Sequence, residues 1–174
     1  MVKGLVIFLA ALFFSGELRS QDIIVWDSTV KLTWADFAGK ADPKSSFDAA
    51  TVSGIRYKLN LSGEGLTDSV AAVFYKAESW VRRRTEGALI HEQGHFNITE
   101  IFARKLRKRI EEFVPRRGDL AHQLNLLYDE IESEREVMES LYDRETRHSA
   151  DARRQAYWNA RIQKELKELE KFAL

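Results

Sequence analysis

Leu89-Ile90-His91-Glu92-Gln93-Gly94-His95 reads H-E-x-x-H inside a run of helical periodicity. Positions i and i+4 of a helix lie one above the other, so His91 and His95 point the same way. Two imidazole nitrogens placed like this can share one metal ion. Zn2+ suits them, because it accepts neutral imidazole and keeps an open position in catalytic sites. Glu92 borders the same site and is the candidate general base for a metal-activated water. The stripe Ile98, Phe102, Leu106, Ile110, Phe113 continues the face of the two histidines, which turns both rings inward. Thr85 is the expected N-cap, with Glu86 in the first turn. Gly94 costs about 1 kcal/mol relative to alanine in a helix interior. A close approach of another segment is therefore expected at that position. Two ordinary core histidines would leave both Glu92 and Gly94 unexplained.

Working outward from this helix, the pattern is strands before it and helices after it. Asp22 to Trp26 and Val30 to Trp34 read as short strands, with Thr33 and Asp36 capping one helical turn from Trp34 to Phe37. In Thr51 to Leu61, apolar Ile55, Tyr57, Leu59 and Leu61 alternate with Arg56, Lys58 and Asn60. Ser62 to Gly65 is a turn, and Val70 to Val81 is a second long strand that pairs with the first. The H-E-x-x-H helix extends to about Phe113, and Pro115 and Gly118 end it. Asp119 caps a second helix with the stripe Leu120, Leu124, Leu127, Ile131, Met138, Leu141. Ser149 or Asp151 caps a third, carrying Trp158, Ile162, Leu166, Leu169 and Phe172. Strands followed by helices give an α+β class: one domain, with a small antiparallel sheet packed against about three helices.

The first 20 residues read as a secretory signal peptide, with Lys3 before the apolar run Leu5 to Phe14. That run is too short to span a bilayer comfortably, and no second one follows, so no stable membrane insertion is expected once it is removed. Residues 21–174 form the remaining domain. Cysteine is absent, which excludes disulfides, thiolate nucleophiles and thiolate ligands. Export without disulfides suits a bacterial periplasm or exterior. Lys+Arg and Asp+Glu are both 27, so charge gives no argument for nucleic acid. The basic run Arg104, Lys105, Arg107, Lys108, Arg109 reads as a solvated face near a helix C-terminus, where the dipole favours cations.

Catalytic zinc sites usually have three protein ligands. No histidine closely follows His95, and Glu100 lies about 140° round the helix from it. The third ligand must come from elsewhere: His122, Glu130, Glu134, Asp143, Glu145 or His148. The segment Tyr142 to His148 is the richest and could return over the start of the first helix. Imidazole favours His148, with Glu145 second. Asp143 is placed to orient a histidine through its second ring nitrogen. Tyr142 is the candidate donor to a developing oxyanion.

His91-Glu92-Gln93-Gly94-His95-Phe96, followed by a basic helix and then Tyr142-Asp143-x-x-Thr146-x-His148, resembles a bacterial family catalogued as a domain of unknown function and described as secreted zinc-dependent proteases. The likeness extends to Leu32-Thr33-Trp34-x-Asp36-Phe37-x-Gly39 and Thr51-x-x-Gly54-Ile55-x-Tyr57. It implies export, a zincin-like fold and site, and hydrolase chemistry. By matching position it supports His148 over Glu145.

The expectation is a secreted or periplasmic zinc metallopeptidase, with His91, His95 and His148 on Zn2+ and Glu92 and Tyr142 as catalytic groups. Its substrate would be a peptide or protein in the cell envelope or outside the cell, held along an edge strand such as Val70 to Val81. A zinc amidohydrolase acting on cell-wall peptide would use the same ligands. A non-catalytic envelope binding module would instead close the fourth coordination position.

Overall fold

A computed structural model describes residues 5–7, 22–62 and 65–174. The expected signal segment lies outside the described residues apart from Leu5–Ile7. The fold is α+β. Its strands are β1 (Leu5–Ile7), β2 (Ile23–Val25), β3 (Ala49–Ala50), β4 (Ser53–Ser62), β5 (Gly65–Tyr75) and β6 (Trp80–Val81). Its helices are α1 (Glu86–Glu111), α2 (Leu120–Thr146) and α3 (Ala152–Glu168). No described helix is long and apolar enough to cross a membrane.

β4 and β5 form the antiparallel hairpin the alternation predicts, in register from Ser53↔Phe74 to Ser62↔Gly65. The sheet order is β1-β4-β5-β2, so β5 is an interior strand. β2 covers its far edge at Val73–Tyr75, so that part of the Val70 to Val81 stretch is not a free edge. The long strand also stops at Tyr75. There the Tyr75 carbonyl accepts from the N–H groups of Glu78 and Ser79 and turns the chain. Trp80–Val81 then joins a separate two-stranded sheet with β3.

Val30 to Thr33 is not a strand. The Leu32 N–H donates to Gln93 Oε1 on α1 at 2.8 Å, so this backbone pairs with a helix side chain instead of a ladder. The expected turn follows: the Thr33 N–H donates to Asp36 Oδ2 at 2.9 Å as a 3-10 turn opens over Trp34–Asp36.

α1 is the central element, with the sheet on one side and α2 and α3 on the other. Its middle is therefore buried round most of its circumference: Phe96, Ile98, Thr99, Glu100, Ile101, Phe102, Ala103 and Arg104 are all inside. This corrects the solvated reading of its basic run at Arg104 and Arg107, while Lys108 is exposed as expected. Arg104 Nε donates to buried Glu100 Oε1 at 2.9 Å, and its Nη1 to the Leu166 carbonyl at 2.6 Å. Arg107 bonds Glu100, the Val70 carbonyl and the Phe172 carbonyl. These two cations tie the sheet, α1 and the C-terminal turn together. Thr85 caps α1 by accepting from the Ala88 N–H, Asp119 caps α2, and Asp151 caps α3.

Candidate metal centre

The second and third turns of α1 carry His91 and His95 beneath the last turn of α2. Asp143 lies on that last turn. His91 Nε2 and His95 Nε2 each stand 3.0 Å from the same atom, Asp143 Oδ1. His148 Nδ1 lies 3.4 Å from that oxygen. Ligand atoms of His91, Asp143 and His148 all fall within 4.8 Å of one another. Three imidazoles thus converge on one carboxylate oxygen.

His148 reaches this place through a tight backbone turn. Arg147, His148 and Ser149 have φ of 53°, 49° and 70°, three successive non-glycine residues in the left-handed region. Each such residue costs roughly 1–2 kcal/mol. Strain of this kind persists where surrounding structure over-determines it, and it clusters at functional sites. Here the His148 N–H donates to the Asp143 carbonyl at 3.0 Å and the Asp151 N–H to the Thr146 carbonyl at 2.9 Å. The Phe47 ring packs on the His148 ring at 4.4 Å, which brings the segment before β3 to the mouth of the site. His148 is the most open of the four groups, with 47% of its side chain exposed.

Burial works against the charge on Asp143, yet its contacts with His91 and His95 outweigh this and hold the carboxyl below its ordinary range. Burial likewise opposes charge on His95, and the Asp143 hydrogen bond overcomes this, raising that imidazole above its ordinary value.

Asp143 faces the two Nε2 atoms, so it is placed as a ligand and not as an orienter behind a ring. The orienter of His91 is Gln155 on α3, whose Oε1 lies 3.1 Å from His91 Nδ1. Tyr142 is also placed differently from the oxyanion role. Its side chain is fully buried. Its hydroxyl donates to the His91 carbonyl at 3.0 Å and accepts from Gln155 Nε2 at 2.7 Å. Its ring stacks on the His91 ring at 4.5 Å. Tyr142 is a positioning residue, and nothing of it is left to face a substrate. The close approach expected at Gly94 is Tyr142 itself: a Cβ on Gly94 would overlap its hydroxyl and lie 2.7 Å from its Cζ.

Glu92 is 5% exposed, and its Oε2 is a buried oxygen with no hydrogen-bond partner. Its charge acts on both His95 and Tyr142, which places it beside the centre. Such an orphan costs about 1–3 kcal/mol or more unless a further group meets it.

His91, Asp143 and His148 form a group that could hold a metal ion. Imidazole and carboxylate are among the donors that zinc takes. Ligand atoms of a tetrahedral zinc at about 2.0–2.1 Å lie roughly 3.3 Å apart. The 3.0, 3.0 and 3.4 Å spacings round Asp143 Oδ1 have that size.

The remaining candidates are placed elsewhere. His122 is exposed near the start of α2. Glu130 and Glu134 both pair with Arg109. Glu145 Oε2 accepts from Trp158 Nε1 at 2.9 Å and pairs with Arg154 at 2.6 Å, so this carboxylate is engaged away from the histidines.

Residues 67–149 match the model of DUF922, a bacterial protein family of unknown function. The match covers a little under half of the chain. No curated protein and no solved structure matches it. The DUF922 region contains His91, Glu92, His95, Tyr142, Asp143 and His148. The resembling stretches at Leu32 to Gly39 and Thr51 to Tyr57 lie outside it. The family has no assigned function, so the chemistry rests on the residues themselves.

Gln155 lies beyond the DUF922 region and was missed in the sequence. One signal pointed to it: the buried stripe of α3, extended one turn back from Trp158, lands on this glutamine. An amide at an apolar register position needs buried partners. Thr146 is similar. It is one turn beyond Tyr142, fully buried, and its Oγ1 donates to the Tyr142 carbonyl at 2.7 Å.

Proposed function

We propose that the protein is an exported zinc-dependent hydrolase of peptide bonds, with His91, His95 and Asp143 holding the metal and Glu92 as general base. The observation that carries this reading is the pairing of an unpartnered, buried Glu92 Oε2 with three imidazoles gathered round one carboxylate oxygen. A bound zinc ion would supply Lewis acidity and lower the pKa of a water at the centre. Glu92 takes a proton from the attacking water at Oε2 and delivers it to the leaving amine. His91 is held in place by Gln155, Tyr142 and the α1 backbone, and His95 by Asp143. His148 stands at the open side of the centre, where it can complete the ligand set or meet the substrate.

β3 is the strand beside this site with one side unpaired by any other strand. The Thr51 hydroxyl just after it donates to the Glu92 carbonyl at 3.3 Å, which ties the strand to the base. An extended peptide laid along β3 would run beside the α1 turn that carries Glu92, a strand-addition mode that supports a peptide substrate. Export rests on the N-terminal segment: a positive Lys3 ahead of a short apolar run.

A second reading has an observation of its own. Four protein groups converge here, and a zinc ion bound by all four would have no open position, as in structural sites. The same experiment tests both readings. Zinc-loaded wild type and Glu92→Gln are incubated with a mixture of unstructured peptides, and cleavage products are identified by mass. Hydrolysis by the wild type, reduced by at least about 100-fold in Glu92→Gln, is the expected result. Zinc bound at one per chain without hydrolysis of any peptide would favour the structural reading.

A further inference from the structure

The hydrogen bonds behind His91 decide which of its ring nitrogens carries the proton, and the decision can be traced from a backbone carbonyl. The Tyr142 hydroxyl lies 3.0 Å from the His91 carbonyl, which can only accept. The single hydroxyl proton is therefore spent there. At the Gln155 amide, 2.7 Å away, the Tyr142 oxygen must then accept, so the facing atom is Nε2. The same NH2 group donates its other proton to Asn159 Oδ1 at 2.8 Å. The remaining amide atom, Oε1, has no proton to give and lies 3.1 Å from His91 Nδ1. Nδ1 must carry a proton.

We infer that the relay from the His91 carbonyl through Tyr142 and Gln155 fixes His91 as the Nδ1–H form, so that Nε2 presents a lone pair toward Asp143 unless a cation stands between them. Nε2 and the Asp143 oxygen are 3.0 Å apart, and two lone pairs at that distance repel. Gln155 thus acts as a positioning residue that turns the His91 lone pair toward the α1–α2 interface. The tautomer follows from the hydrogen bonds alone. Its consequence for zinc affinity rests on the metal reading proposed above.

The test is nitrogen-15 NMR of the histidine rings in the metal-free protein, compared among wild type, Gln155→Leu and Gln155→Glu. The wild type should show Nδ1 of His91 protonated. Gln155→Leu removes the nearer acceptor and leaves only Thr146 Oγ1, a long 3.4 Å from Nδ1, so the ring should move its proton to Nε2, toward Asp143. Gln155→Glu restores an acceptor and should return the proton to Nδ1. Zinc affinity, measured by competition with a chelator, should fall about 10–100-fold in Gln155→Leu and recover in Gln155→Glu. An unprotonated Nδ1 in the wild type overturns the inference, even if Gln155→Leu fails to fold. So does a Gln155→Leu ring that keeps its proton on Nδ1. A protonated Nδ1 in a wild type that binds no zinc leaves the relay standing and removes the metal reading instead.

Discussion

The Tyr142 hydroxyl rests on α1 at the one position in the H-E-x-x-H segment that has no side chain, Gly94. That contact lets Tyr142 reach the His91 carbonyl and stack on the His91 ring. Helix propensity alone would make Gly94→Ala stabilising by about 1 kcal/mol. Overpacking a buried contact of this kind costs about 1–3 kcal/mol, and the neighbour here is a fully buried ring with no room to move. The steric term wins. Urea unfolding should show Gly94→Ala destabilised, with a smaller loss when it is combined with Tyr142→Phe.

The ligand set can be read from two carboxylates on the last turn of α2. Asp143→Ala should abolish tight zinc binding. Glu145→Ala should leave zinc affinity within about twofold while lowering stability by about 1–3 kcal/mol, because the Trp158 N–H loses its acceptor. His148→Ala should weaken zinc less than Asp143→Ala does. Chelator competition on the three variants checks the order. Equal affinity in wild type and Asp143→Ala would move the ligand role to His148.

Metal and protons compete for the same nitrogens. Burial disfavours the His95 imidazolium, but Asp143 outweighs it and lifts the group above its ordinary value. Zinc must displace a proton there, so affinity should rise with pH up to and through this raised value, then level off. In metal-free Asp143→Asn, His95 should titrate at lower pH than in the wild type by NMR, since the charge that retains the proton is gone. Isothermal titration in buffers of different ionisation enthalpy would count the protons released.

Much of this site is visible in the residue pattern. The i, i+4 spacing gives His91 and His95, the glycine announces a close contact, and the 142–148 cluster carries the partner groups. What the pattern hid was direction. Asp143 and Glu145 are two residues apart and look alike in sequence, but on a helix they lie about 200° apart. One faces the histidines and the other faces Trp158. Gln155 was hidden because its partners are far away in sequence: Tyr142 lies on a different helix and His91 on another. The fold shows the same limits. Local alternation identified the β4–β5 hairpin. It could not show that the chain would leave the sheet at Tyr75, which depends on where the turn at Glu78 and Ser79 closes.

The basic run on α1 failed for a related reason. Charge at a helix C-terminus usually means solvent, but α1 is covered on both sides and Arg104 finds Glu100 and a carbonyl inside. Arg104→Ala should cost about 3 kcal/mol, because a buried carboxylate loses one of its two cationic partners. Chemical denaturation measures the loss. Zinc affinity of the folded variant should be unchanged, since the pair lies away from the centre.

The most direct test of the central claim is the amount of zinc bound per chain. The purified protein is exchanged into zinc, freed of excess, and assayed by elemental analysis beside Glu92→Gln and His91→Ala. The structure predicts about one zinc per chain in the wild type and in Glu92→Gln, and almost none in His91→Ala. A folded wild type that retains no zinc, or a His91→Ala variant that retains as much as the wild type, would contradict it.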